Sequence, residues 1–266
     1  MREIKVWKDP YGAGFEICRK RKIHLEEGLT VLVGCNGTGK STLIQNIKSE
    51  LDKANIPCAY YNNLHDGGHQ SVSKQAADNN WGMVATMVTS SEGENICYNM
   101  CMLASKMHNF IETGKFVKDE TQARFSRLFM SDEAAAELDK PTESKERWIL
   151  LDAIDSGYSI DNILELKTFF NSMQEDCKKA GIKLYIIVSS NEYELANGEP
   201  CFDVYSGKYI TFKDYDDYKT FIIKSRKIKD NRYVKKEDKK TDSKKKTESS
   251  ENTESEVTMI SRSASL

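Results

Sequence analysis

The chain has 266 residues, 39% of them hydrophobic and 30% charged, with a formal net charge of −2. That length allows one large α/β domain or two small ones around a sizeable core, and the near-neutral charge argues neither for nor against nucleic acid. No apolar run approaches the roughly 20 residues of a membrane helix, MREIKVWKDP lacks the apolar stretch of a secretion signal, and seven cysteines without a C-x-x-C pair read as reduced thiols of a cytoplasmic protein. In chain order, IKVW and FEICRK read as strands joined by the turn-rich PYGAG, and residues 29–33 as a buried strand. A helix follows to about residue 54, with Leu43, Ile44, Ile47 and Leu51 on one face. PCAYY (57–61) reads as a short buried strand, and the polar residues 62–80 as loop with some helix. Ile96, Met100, Leu103, Met107 and Phe110 recur at helical spacing over 95–111, which sets Cys97 and Cys101 one turn apart, on a face expected to be buried. Residues 115–146 read as an inserted helical excursion, 147–153 as a buried strand, and Ser159 as the cap of a helix that stops at Gly181. Residues 182–190 form the next core strand, 201–212 a hairpin turning at Ser206-Gly207, and 215–226 a closing amphipathic helix. Strands alternating with helices predict one α/β domain over 1–230 with a mainly parallel core sheet and an antiparallel N-terminal portion. Residues 231–266, rich in Lys, Glu, Ser and Thr, read as a disordered polar tail.

Residues Gly34-Cys35-Asn36-Gly37-Thr38-Gly39-Lys40-Ser41 match G-x-x-x-x-G-K-[ST] in full, between a strand and a helix. Glycines let backbone N–H groups turn inward around an anion, and the helix N-terminus adds its dipole and free donors. The pattern implies a bound nucleoside triphosphate, with Lys40 at the β- and γ-phosphates and the Ser41 hydroxyl on Mg²⁺. Asp152 closes the apolar strand ILLD, where a carboxylate completing the magnesium shell is expected; the plainer reading is an Asp that caps the following turn.

VGCNGTGKST, with Asn36 two before Thr38 and the pair Ser41-Thr42, resembles the phosphate loop of ABC-type ATPases. In that family a signature similar to L-S-G-G-Q opens a helix between the two motifs, and Thr89-Ser90-Ser91-Glu92-Gly93-Glu94-Asn95 stands there. The resemblance implies that Ser91 and Gly93, with Glu94 beside them, meet the γ-phosphate of ATP held by an opposite subunit. Ser91-x-x-Glu94 is also a capping box, and the two roles are compatible. LLDAIDSGYSID is similar to the run that follows the carboxylate in soluble ABC-type ATPases of the SMC and RecF kind, so Asp155, Ser156, Gly157 and Ser159 fall on its D-loop. The small size is similar to that of ATP-binding proteins of bacteriophages and mobile elements, which would place the chain in a host cytoplasm. The resemblance therefore implies a P-loop NTPase with an ABC-ATPase-like head, ATP and Mg²⁺ as ligands, and a nucleotide-dependent homodimer.

Two positions depart from the family. Its catalytic Glu, directly after the strand-terminal Asp, is replaced here by Ala153, and its switch His by Asn191. Loss of a general base costs about 10²–10⁴ in rate. Three readings follow: slow hydrolysis in a switch, a base supplied by Asp155 or Glu192, or a substitution at 153 that traps the bound state. Gln70 is the candidate for the family's Q-loop glutamine, and Tyr11 or Phe15 for adenine stacking. The competing functions are the ATPase subunit of a membrane transporter, disfavoured by the short loop, and a small-molecule kinase with 115–146 as its lid. A protein partner or DNA is open as client. Arg19-Lys20-Arg21-Lys22 is a compact basic run, although four such residues usually make a solvated edge.

Overall fold

In chain order the elements of the computed structural model are β1 (Arg2–Lys5), β2 (Lys22–Leu25), β3 (Gly28–Val33), α1 (Lys40–Lys53), β4 (Cys58–Asn62), α2 (Asn63–Asp66), α3 (His69–Ala77), α4 (Trp81–Thr89) and α5 (Glu92–Thr113). Then come β5 (Glu146–Asp152), α6 (Ile160–Lys179), β6 (Lys183–Ser189), α7 (Tyr193–Ala196), β7 (Cys201–Asp203), β8 (Lys208–Ile210) and a helix, α8, over residues 215–231. The structure describes residues 1–231 except 11, 13–15, 67–68, 78, 118–126, 128, 132 and 136–139. Nearly half of the expected 115–146 excursion, both adenine-stacking candidates and the tail beyond 231 thus lie outside the described residues.

Six strands form one sheet in the order β4-β5-β6-β3-β7-β8, parallel except for the final β7–β8 hairpin. The central strands are apolar on both faces, as a covered parallel sheet requires, and period-two alternation divides them. Leu29, Val31, Val33, Ile149, Leu151, Leu184, Ile186 and Val188 face α5 and α6, where Leu103, Met107, Phe110, Ile163, Phe170 and Met173 cover them. Leu32, Trp148, Leu150, Tyr185 and Ile187 face α1 and the small β1–β2 sheet, meeting Leu43, Ile44, Ile47, Leu51, Ile4 and Ile23. Each such large side chain, fully buried, contributes about 1.5–3 kcal/mol. Trp148 and Tyr185 are register partners, and their rings stack 4.2 Å apart. The α/β class, the parallel core and the antiparallel N-terminal pair are as the patterning predicts.

Three local readings need correction. The second strand is Lys22–Leu25, not FEICRK: KIHL alternates exposed and buried residues against β1, whereas Ile17 and Cys18 are buried from an irregular stretch. Arg19 anchors that stretch by donating its N–H to Tyr205 O (2.9 Å). Residues 81–89 form a helix the sequence reading passed over, because WGMVATMVT has no polar face to mark a period. Cys97 and Cys101 are exposed on α5; the face of that helix that is buried carries Asn99, Leu103, Met107 and Phe110. All seven cysteines are free thiols, and burial pushes those of Cys58 and Cys201 up to about 12.

Candidate functional site

Because β3, β4, β5 and β6 run parallel, their carboxyl ends gather at one edge of the sheet, where open α/β sheets bind ligands. The glycine loop leaves β3 there. Gly34, Gly37 and Gly39 have φ of 146°, 80° and 105°, which turn the loop back on itself as side-chain-bearing residues rarely allow. A β-carbon on Gly39 would stand 2.5 Å from Ile17 Cγ2, so glycine is required by space as well. Inside the loop, Thr38 donates both its N–H (3.2 Å) and its hydroxyl (2.8 Å) to Cys35 O. Helix α1 starts directly after, with no side-chain cap at Gly39.

Lys40 is buried and donates Nζ to Gly34 O (2.6 Å) and Asn191 Oδ1 (2.9 Å). Burial pulls its ammonium below the ordinary lysine value, opposed by the charges of Asp155 and Asp152. Ser41 Oγ donates to Asp152 Oδ1 at 3.0 Å. The same oxygen accepts from Ser189 Oγ (2.5 Å), and Oδ2 accepts from Asn62 Nδ2 (3.1 Å). Asn62 and Asp152 are register partners at the ends of β4 and β5, which explains that contact. Ser189 also accepts the Ala153 N–H (2.8 Å), and Ala153 itself adopts a left-handed φ of 51° as the chain turns out of β5.

Asp155 is the knot of the next loop. Its Oδ2 accepts from Ser190 Oγ (2.9 Å), Asn191 N–H (2.6 Å) and Glu192 N–H (3.0 Å), tying the turn after β5 to the end of β6. From the other side, α8 reaches the loops with Tyr218, whose hydroxyl donates to Asn191 O (2.8 Å), and with Ser225, whose Oγ accepts the buried Cys35 N–H (3.1 Å).

These groups enclose a cleft of about 580 Å³ lined by Asn36, Gly37, Gly39, Lys40, Ser41, Thr42, Leu64, Asp152, Ala153, Asp155, Ser156, Gly157, Ser189, Asn191 and Glu192. That is the size of an ordinary small-ligand pocket, about 300–1,000 Å³. The donor set suits a phosphate chain with a divalent cation: an uncapped helix start, a lysine whose burial favours an anionic partner, and a hydroxyl beside a carboxylate. Among the described residues, no group of three His, Cys, Asp or Glu could hold a metal ion by itself. A cation here would complete its shell with phosphate oxygens and water.

Ser91, Gly93 and Glu94 are not in this cleft. They sit exposed at the start of α5, where Ser91 and Glu94 form a reciprocal capping box. Gly93 and Glu94 line a separate cleft of about 440 Å³ with Ser159, Asp161 and Asn162 at the start of α6, which has its own Ser159–Asn162 capping box. Gln70 falls on α3, with its side chain outside the described residues. In the basic run, Arg19 lies over the Tyr205 ring (4.7 Å) and Lys22 pairs with Glu3 (2.7 Å). Sequence reasoning missed Asn62, Ser189, Ser190, Tyr218 and Ser225. The first three stand at carboxyl ends of apolar strands, a position that could have marked them; Tyr218 and Ser225 carry no local signal.

No helix of the described residues is long and apolar enough to cross a membrane. No family model matches the chain, and no curated protein matches it. Among solved structures, cbiO1 from Clostridium perfringens, part of the ABC transporter complex cbiONQ, is similar at 17% identity over 78% of this chain and 86% of that one, with a TM-score of 0.39. A likeness that weak does not bear on function.

Proposed function

We propose that this chain binds Mg–ATP in the cleft at the strand ends, hydrolyses it slowly, and uses its occupancy to switch the association of two copies. The observation that carries the reading is the convergence of Lys40, Ser41 and Asp152 on one cleft that Ala153 also lines, at the position where the resemblance expects the base. Lys40 exchanges its contacts with Gly34 O and Asn191 for β- and γ-phosphate oxygens, and the N–H groups at the start of α1 meet the phosphate chain. Ser41 and Asp152 would hold a cation directly or through water, and that ion would supply charge neutralisation for the phosphate chain.

Hydrolysis is slow because nothing in the site takes the proton of an attacking water efficiently. Ala153 has no base, and Asp155 Oδ2 is committed to three donors. Glu192 is the carboxylate of the cleft that no hydrogen bond engages among the described residues, so it is the one left to orient water. Asn191 can bond a γ-phosphate but carries no proton.

Ser91 and Gly93 support the two-copy arrangement. They lie outside the cleft that holds Lys40 of the same chain, and the resemblance assigns them to ATP bound by another subunit. A service in DNA transactions or a phage–host process rests on the resemblance alone. Sizing the protein with and without ATP–Mg²⁺, beside nucleotide retention, tests the proposal. The expected result is a dimer with ATP and a monomer without it. A monomer throughout that retains no nucleotide sinks the reading.

A further inference from the structure

The P-loop lysine is not the only cation at the glycine loop. Helix α8 carries Tyr218, Ser225 and Lys229 at spacings of seven and four residues, which put them on one face, and all three reach the site loops. Tyr218 and Ser225 are buried and fix that face against Asn191 and Cys35. One turn beyond Ser225, the Lys229 ammonium donates to Asn36 O at 3.2 Å. Its Cδ and Nζ stand 3.5 and 3.9 Å from the point where a β-carbon on Gly37 would lie. Asn36 and Gly37 both line the cleft. The ammonium therefore lies against the loop at two residues that line the cleft, one of which has no side chain.

The local partners of Lys229 leave it available. An ammonium has three donors, and Asn36 O takes one. The carboxylate of Asp230 is 3.9 Å away and 60% exposed, a loose pair in solvent. The Lys229 side chain is itself 23% exposed, so its charge is partly desolvated. A compact, rotatable point charge is well suited to a phosphate group.

We propose that Lys229 is a second phosphate-binding cation of this site, which reaches over Gly37 to the terminal phosphate of the bound nucleotide and makes the site prefer a triphosphate to a diphosphate. The assignment rests on the reading of the cleft as an ATP site. Lys40 then keeps a partner in either nucleotide through the β-phosphate, whereas Lys229 meets only the phosphate that hydrolysis removes. Loss of that phosphate leaves Lys229 with its contact to Asn36 O.

Calorimetric titration of the full chain with Mg–ATP and Mg–ADP tests this, in the wild type and in Lys229→Met, Lys229→Arg and Lys40→Ala. Lys229→Met is expected to weaken ATP about ten- to a hundredfold, as befits a lost charged hydrogen bond, with ADP affinity unchanged. Lys229→Arg restores most of the preference. Unchanged ADP binding also shows that the variant is folded; should Lys229→Met misfold, Lys229→Gln gives the same comparison. An ATP-to-ADP affinity ratio that stays constant, whether both weaken together or neither does, overturns the assignment and makes Lys229 a structural prop. Wild-type protein that binds neither nucleotide overturns the ATP reading itself. Binding lost only in Lys40→Ala, with the ratio intact in Lys229→Met, leaves that reading standing and removes Lys229 alone.

Discussion

Ala153→Glu tests the proposal that a missing general base limits hydrolysis. Residue 153 lines the cleft beside Ser41 and Asp152, and its N–H is held by Ser189 Oγ at 2.8 Å, so the direction in which a longer side chain leaves the backbone is set. Its φ of 51° costs an L-residue about 1–2 kcal/mol. Alanine already carries that cost, and glutamate carries nearly the same one, so the exchange should move Tm by no more than about 2–4 °C. A positioned general base gives about 10²–10⁴ in rate, equivalent to about 2.7–5.4 kcal/mol of barrier. Single-turnover phosphate release from Mg–ATP should therefore rise at least about a hundredfold, with nucleotide Kd little changed. Ala153→Gln, which fills the same space without a base, should leave the rate where it was. A glutamate variant that folds and binds normally but releases phosphate no faster than the wild type would refute the argument, since the missing base would not then be what limits turnover.

Other expectations follow from the same contacts. Asp155→Ala orphans the Asn191 N–H, whereas the Glu192 N–H still has Ser190 Oγ and the Ser190 hydroxyl still has Glu192 O; at about 1–3 kcal/mol per orphaned donor, a loss of about 2 kcal/mol should lower Tm by about 4–8 °C in calorimetry. Gly39→Ala forces a β-carbon against Ile17 and should cost about 1–3 kcal/mol; Ile17→Ala in the same chain should recover part of it, and strict additivity would show that the two do not touch. Lys40 predicts a pH effect: burial lowers its folded pKa below 10.5, so the ligand-free fold binds fewer protons than the unfolded chain between those values. Its stability therefore rises with pH there. A bound phosphate reverses the shift, and nucleotide binding in that alkaline window should take up protons and weaken as pH rises. Titrations in two buffers of different ionisation enthalpy measure the uptake; none at all would mean that Lys40 does not meet the anion.

The parts of the fold that could be read from sequence are those in which one residue type serves one role. β3, β5 and β6 are apolar on both faces because the sheet is covered on both, and a continuous run of Val, Ile and Leu says so directly. The glycine loop and Asp152 were legible because their spacing is local. FEICRK misled because burial of Ile17 comes from packing against the loop at Gly39, which resembles a strand only in composition. Tyr218 and Ser225 were illegible for a further reason: the Cys35–Ser225 bond joins residues 190 positions apart, and no local pattern encodes which face of α8 will meet the loop.

The place of β6 between β3 and β5 acts as a gauge. Neighbouring strands stand about 4.8 Å apart, so the strand that ends in the glycine loop and the strand that ends in Asp152 are held about two such steps apart by backbone hydrogen bonds. No side chain takes part in setting that width. Ser189 and Asn191, at and just beyond the tip of the spacer, can therefore be exchanged like inserts in a jig while the distance between the glycine loop and Asp152 stays the same.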